Sequence, residues 1–402
     1  MLYGCGMNAK TVTPSISSRI SRARFNPIRN LRPETLSSAL DAFEDGRLGG
    51  AARIFEAILK RDDLISGLAL KRKKSIARLE PHITLLEDSP KAREHKALLQ
   101  KLYDGMEAEN RADLNEHGGL RLLISQMMDA VAFKYAAHKI DFFEKDGRIG
   151  LKTVQYPLWL FENTSGELRL LEREGQLAAG KPLEKNAWMV CCGDGLMTAS
   201  SIAYIFKQLP LRDWLIYCER NGMPGVVAKT DAFPGTAQWD AACEAVGDFG
   251  AEFHAVISAG TNIESIDVSS RSALPYQALI ERIDRMLCAL WRGSDLSTLS
   301  ASESVGASMQ WYESSIIEEQ DAANISETLH RCVDIQAIKI AFGENERPLA
   351  KFALRLPDYE MHKSEIDIIA RLCALGLKPD KIELAKRFAF PLEEKGAGNG
   401  GE

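Results

Sequence analysis

Two adjacent thiols, Cys191 and Cys192, run directly into Gly193-Asp194-Gly195, and here the chain comes nearest to a reactive centre. A thiol beside a helix N-terminus has a lowered pKa and becomes a nucleophile, and the free N–H groups of such a terminus can hold an anion. Nucleophilic catalysis also needs a base that takes the thiol proton, and no histidine or asparagine can be assigned to that role. Gly-x-Gly ahead of a helix is also what an ordinary tight turn looks like. Two buried structural thiols and a tight turn are the plainer reading, with an enzyme built on Cys191 or Asp194 as the alternative.

Elsewhere the spacing that chemistry requires is missing. The sequence contains no GxxxxGK[ST] phosphate cradle, no HExxH and no CxxC. Its seven histidines (82, 95, 117, 138, 254, 330 and 362) are far apart. His330 and Cys332 are two residues apart on an expected helix and so face different ways. No catalytic, metal-binding or cofactor residue is assigned. The densest charge cluster is Lys71-Arg72-Lys73-Lys74. Four consecutive helical residues point around the axis, so at most two can share a partner surface. A solvated helix face is the expected reading, with contact to nucleic acid or an acidic neighbour as the other.

The elements that would position these residues are mostly helices. Pro33-Glu34 starts one that Gly46 ends, a second covers 50–60, and Asp62-Asp63 starts a third with Leu64, Leu68, Ile76 and Leu79 inside. Helices are expected at 90–110 and 119–140. A β-hairpin is expected over 151–171 around Asn163-Thr164-Ser165-Gly166. Helix 195–219 should be kinked or interrupted by Pro210. A strand at 226–229, a helix at 238–246, and a second hairpin pairing 253–258 with 263–268 follow. A helix then runs from 275 to 291. Residues 293–305 are small and polar, an exposed loop. After them come a long helix at about 306–341, two short helices at 364–375 and 380–388, and a disordered tail at 392–402. The class is α+β, mainly helical.

Bulk properties set outer limits. At 402 residues the chain exceeds the ~250–300 at which single cores stop growing. A net charge of −6 argues against a general nucleic-acid coat. Residues 1–33 nevertheless hold six basic side chains and no acid, a basic arm that leaves −12 on the rest. That arm also fits a mitochondrial transit peptide, although no organelle-type enzyme signature follows it. No apolar run reaches the ~18–20 residues of a membrane span. Eight scattered cysteines without CxxC read as small core residues in a reducing compartment.

One family is suggested by residues in order along the chain. Arg22-Ala23-Arg24-Phe25-Asn26-Pro27-Ile28-Arg29-Asn30-Leu31-Arg32-Pro33-Glu34 resembles the opening of Mu-like phage portal proteins. Asp41-Ala42-Phe43-Glu44-Asp45-Gly46, Arg61-Asp62-Asp63, Lys71-Arg72-Lys73 and Ile76-Ala77-Arg78-Leu79 follow at that family's spacing. Phe206-Lys207, Leu211-Arg212-Asp213-Trp214, Glu219-Arg220-Asn221-Gly222-Met223-Pro224 and Lys229 are similar too, as is the tail Gly376-Leu377-Lys378-Pro379 through Phe388-Ala389-Phe390-Pro391. The resemblance spans residues 19–391. It departs at 290–298, where the family has Leu-Gly-Gln-Thr-Leu-Thr, and at Ala228-Lys229, where it has Gly-Lys.

The resemblance implies a non-enzymatic structural subunit of a dodecameric ring at one capsid vertex, through which double-stranded DNA is packaged and ejected. Terminase, capsid and head–tail adaptor proteins would dock there, with assembly in the host cytoplasm and no membrane. It implies an N-terminal arm (1–33), a wing (34–190), a stem and clip region with its following helix (191–292), a tunnel loop (293–305) and crown-side helices (306–391). Lys207, Arg212, Lys229, Ser294, Asp295 and Ser297 become candidates for channel or subunit contact. An adaptor or minor capsid protein is the alternative within the virion; adaptors are far shorter.

Overall fold

Pro33 and Glu34 do open the first helix, α1 (Pro33–Glu44), which buries Leu36 and Phe43. The turn after it needs Gly46: its φ is +87°, and a Cβ there would stand 2.4 Å from the Asn163 carbonyl carbon. Helix α2 (Gly49–Leu59) buries Ile54, Phe55 and Ile58. Asp62 caps α3 (Asp63–Ala77) by accepting the Ile65 N–H at 2.8 Å. The inner stripe of α3 is Ile65, Leu68, Ala69, Arg72 and Ile76. The expected solvated face therefore holds only in part, because Arg72 lies on the buried side.

The chain is known here from a computed structural model that describes residues 26–145, 147–222, 226–247, 254–258, 276–293 and 304–355, with Ile369 and Arg371. It divides into two units, Met1–Leu354 and Arg355–Glu402, and the elements below belong to the first. The arm to residue 25, strand 263–268, the helices at 364–375 and 380–388, and the tail lie outside the described residues, apart from Ile369 and Arg371.

Strand β1 (Pro81–Leu85) was not expected and pairs with a segment far down the chain. Helix α4 (Pro90–Asp104), capped by Ser89, stops earlier than expected and gives way to β2 (Glu107–Asn110) and the short β3 (His117–Gly118). The expected helix 119–140 is also cut short. It is α5 (Leu120–Met127) and α6 (Asp129–Phe133), ended at Lys134 with φ +77°. Residues beyond it form β4 (Tyr135–Lys145), which pairs antiparallel with β5 (Arg148–Tyr156). The expected hairpin partner for 151–156 was downstream; the true one is upstream, across Asp146-Gly147. Asp-Gly between two strands is the strongest short hairpin signal, and Gly147 has φ +69°.

The Asn163–Gly166 turn does join two short strands, β6 (Phe161–Glu162) and β7 (Arg169–Leu170), with β8 (Lys181–Pro182) beside them. Strand β9 (Trp188–Cys192) joins the larger sheet, whose order is β3-β2-β5-β4-β9. Helix α7 (Met197–Gly222) then runs 26 residues with Pro210 inside it.

Strand β10 (Val226–Thr230), helix α8 (Ala237–Gly247) and β11 (His254–Ser258) form a parallel β-α-β unit. Strand 254–258 thus has 226–230 as a partner, and the other half of the expected second hairpin, 263–268, lies outside the described residues. Helix α9 (Tyr276–Arg292) precedes α10 (Ser304–Leu329), which continues through a π-helical turn at His330–Asp334 into α11 (Ile335–Phe342). The π turn aims the buried Asp334 carboxylate at the Tyr103 hydroxyl (2.6 Å) and the Phe352 N–H (2.8 Å). Phe352 belongs to β12 (Ala350–Leu354), the antiparallel partner of β1.

Candidate subunit-contact and channel surfaces

Helices α7 and α9 pack as an antiparallel pair. Three contacts fix the register: Ser200 Oγ accepts the Trp291 indole N–H at 2.9 Å, Lys207 Nζ lies 2.8 Å from Asp284, and the Trp214 and Tyr276 rings stack at 6.4 Å. Residues 200, 207 and 214 recur every seven positions, so one face of α7 meets α9. Lys207, expected to face a channel or a neighbour, is buried between the helices, with Asp63 3.8 Å away. Burial works against its ammonium, but Asp284, Asp62 and Asp63 outweigh it and raise the pKa above the ordinary lysine value. Its charge is spent within the subunit.

Arg212 is different: its side chain is 72% exposed, 4.0 Å from Asp213. Lys229 lies in β10, opposite Ile257 of β11. Ser294, Asp295 and Ser297 lie outside the described residues. The described candidates do not converge on one site. Lys207 and Arg212 share a helix but not an environment.

The far sides of the two helices carry a feature missed in the sequence. On α7, Ile202, Phe206, Leu209 and Ile216 are exposed on one face and Leu215 on another, and on α9 Leu279, Met286 and Leu290 are exposed. Phe206 and Met286 show 59% and 60% of their surface. The spacing i, i+4, i+7, i+14 on α7 was legible as one helix face. Which residues would remain uncovered was not.

Where α3, α9, α10 and the turn between β9 and α7 meet, Arg72 acts as a hub. Its guanidinium donates to both carboxylate oxygens of Asp321 (2.7 and 3.0 Å), to Asp194 (3.2 Å) and to the Trp291 carbonyl (3.3 Å). Burial pushes the Asp321 carboxyl up from its usual range while Arg72 pulls it down. Beside the hub, the Ser314 hydroxyl donates to the Arg292 carbonyl at 3.0 Å, and Arg292 lies 3.5 Å from Glu318. The C-terminal end of α9 is therefore tied to α10 at Ser314 and Glu318, inside that helix.

The Cys191–Gly195 segment is used for packing. A Cβ on Gly193 would stand 2.5 Å from the Ala130 carbonyl carbon, and Gly195 has φ +70°, so the tight turn is what the glycines serve. Asp194 is engaged by Arg72. Burial pushes the Cys191 thiol up to about 12, which keeps it protonated at neutral pH. Cys192 is exposed, and its carbonyl accepts the Asn324 amide at 2.7 Å. Neither thiol has a base positioned to activate it among the described residues.

A cleft of about 710 Å³ lies among α2, α3 and the larger sheet. Three of its cations are matched within the subunit: Arg53 with Glu174 (2.6 Å), Lys73 with Asp129 (2.5 Å) and Lys60 with Glu56. Arg53 also lies over the Trp159 ring, 4.5 Å from its centre. Among the described residues no three metal-ligating side chains converge, and no helix is long and apolar enough to cross a membrane.

Comparison with known proteins adds what the geometry alone does not name. Two solved structures are similar in outline. An HK97 family phage portal protein from Corynebacterium diphtheriae matches at 12% identity and a TM-score of 0.39, over 73% of this chain and 95% of that one. The neck of an empty GTA particle, computed with C6 symmetry, matches at 10% identity and a TM-score of 0.48, over 90% of this chain and 98% of that one. No curated protein matches. The family model described as the portal protein of Mu bacteriophage matches residues 52–390, most of the sequence. By that match the chain belongs to the family of the Mu bacteriophage portal protein.

Proposed function

We propose that this portal subunit is one stave of a closed ring, twelve-fold by the resemblance, at a single capsid vertex. Double-stranded DNA would pass through its axial channel during packaging and ejection, and terminase, capsid and head–tail adaptor proteins would dock on it. Its site of action is then the portal vertex of the virion, reached by assembly in the host cytoplasm.

The observation that carries the assembly is the pair of apolar helix faces on α7 and α9 that stay exposed among the described residues. Exposed apolar surface rimmed by polar side chains marks a protein contact. The regional reading follows the helices. Residues 34–190 serve as wing, 191–292 as stem and clip with the helix after them, and 306–391 as long helix and crown side. The loop 293–305 is assigned to the channel, and the end of α9 that leads into it is anchored, Trp291 by Arg72 and Arg292 by Ser314 of α10. A bore that lets DNA slide cannot neutralise many phosphates, because each one gripped adds salt-dependent affinity. A small, polar loop and an acidic chain suit that requirement.

Light scattering after size-exclusion chromatography, with electron microscopy of the same fraction, tests the reading. The expected result is a closed ring many times the 44.5 kDa of one chain, with residues 293–305 towards its axis. A single-chain mass at every concentration would reject the ring, and 293–305 on the outer rim would reject the regional assignment.

A further inference from the structure

The cleft among α2, α3 and the larger sheet encloses about 710 Å³, within the ~300–1,000 Å³ of pockets that hold ligands. Much of its lining is apolar or aromatic, including Val131, Phe133, Tyr156, Leu158 and Trp159. Leu70 also lines it and keeps 50% of its surface exposed. Arg53, Lys60 and Lys73 spend their charge on carboxylates of the subunit, and Arg72 spends its own on Asp321. Glu116 receives none of it. Its carboxylate accepts the Asn110 amide at 2.6 Å and pairs with no cation among the described residues.

The chain itself arrives at this cleft. Pro27 is part of the lining, and Asn26 Oδ1 accepts from the guanidinium of Arg61, another lining residue. The same oxygen accepts the Ile28 N–H at 3.3 Å, which fixes the turn on which the chain enters. Just upstream the sequence holds what the cleft can take. Phe25 precedes Asn26, with Arg24 and Arg22 before it, and residues 1–25 carry four basic side chains and no acid. At ~3.3–3.6 Å per extended residue, Arg22 to Phe25 span about 13–14 Å, enough to reach across a cavity of this size.

We infer that the N-terminal arm docks in the cleft of its own subunit, with Phe25 against the aromatic lining beside Leu70 and Arg22 and Arg24 towards Glu116. A segment tethered at Asn26 is held at high effective concentration, so burying one ring and pairing one carboxylate suffice to hold it. Basic arms of this kind otherwise serve as nucleic-acid tails. Here the charge is spent within the subunit. The docking does not depend on ring formation.

Full-length protein with a photo-reactive benzophenone analogue of phenylalanine at position 25 tests the location. Illumination is expected to link position 25 to cleft peptides within 52–73 or 131–159, in a product that keeps the mass of one chain on a denaturing gel. A two-chain product would put the arm on a neighbour and overturn the inference. Links confined to other regions, or no link, would overturn it as well. Hydrogen exchange of the otherwise unmodified protein reads the strength of the contact. Leu70→Asp and Glu116→Arg should each speed exchange of the 19–25 amides roughly three- to tenfold, while the core helices exchange as in wild type. Adding Arg22→Glu and Arg24→Glu to the Glu116→Arg chain should slow it again. Arm amides that exchange at the free-peptide rate in wild type, or that ignore both cleft variants, would overturn the docking. Arm amides protected only when duplex DNA is added would assign the arm to nucleic acid instead.

Discussion

His138 sits in the middle of β4 with both ring nitrogens buried and without a hydrogen-bond partner. Burial lowers its pKa from 6.5 to about 4, against the opposing pull of Asp129. The unfolded chain therefore takes up a proton near pH 6.5 that the folded chain refuses until about pH 4. Stability contributed by the neutral ring is complete above pH 6.5 and falls with decreasing pH down to about 4. The loss is roughly 3 kcal/mol over that window. His138→Leu should remove this share of the acid sensitivity. Comparing the pH dependence of urea unfolding for the two proteins checks it, and parallel curves would contradict the assignment. Nothing in the local sequence announces such a residue: His138 is one polar side chain in a strand of alternating pattern, and only what packs on that face of the sheet encloses it.

At the scale of elements, Arg72 is what α3, α9 and α10 share, with the turn before α7. The sequence places it in a basic run, where a solvated face is the natural reading, and Lys71 and Lys74 do remain exposed. Helical geometry lets only one or two of four consecutive residues turn inward. Here Arg72 points to the core and Lys73 to Asp129. Arg72→Met leaves the Asp321 carboxylate buried without its counter-charge and should cost about 3–5 kcal/mol. Arg72→Met with Asp321→Leu should recover much of that, since replacing both partners strands no charge. Urea unfolding of the two variants tests this; a double variant no more stable than the single one would contradict it. The elements that went astray in the sequence fail for a related reason. Helix 119–140 was extended over Tyr135–Ile140, the first half of β4, because apolar residues there satisfy a helical as well as a strand period. Asp146-Gly147 was the local signal that could have corrected it.

For the molecule as a whole, the candidates for DNA or neighbour contact now separate. Lys207→Ala would strand Asp284 between α7 and α9, so its effect should appear as lost stability. Arg212→Ala, at an exposed position, should instead leave stability nearly unchanged, and with Lys229→Ala added it should alter DNA packaging in a phage assembly assay. Full packaging activity in that double variant would reject the contact. Length, charge and the ordered motifs from Arg22 to Pro391 were enough to indicate the family, because family motifs are strings of residue types. The helices at 33–44, 49–59, 197–222, 276–292 and 304–342 were legible as well, since caps, prolines and period act within a few residues. Tertiary structure alone decided that β1 pairs with β12, that β11 pairs parallel to β10, that Lys207 is enclosed, and that two apolar stripes stay open. Each of these depends on which distant segment arrives alongside, and short-range pattern carries no information about that arrival.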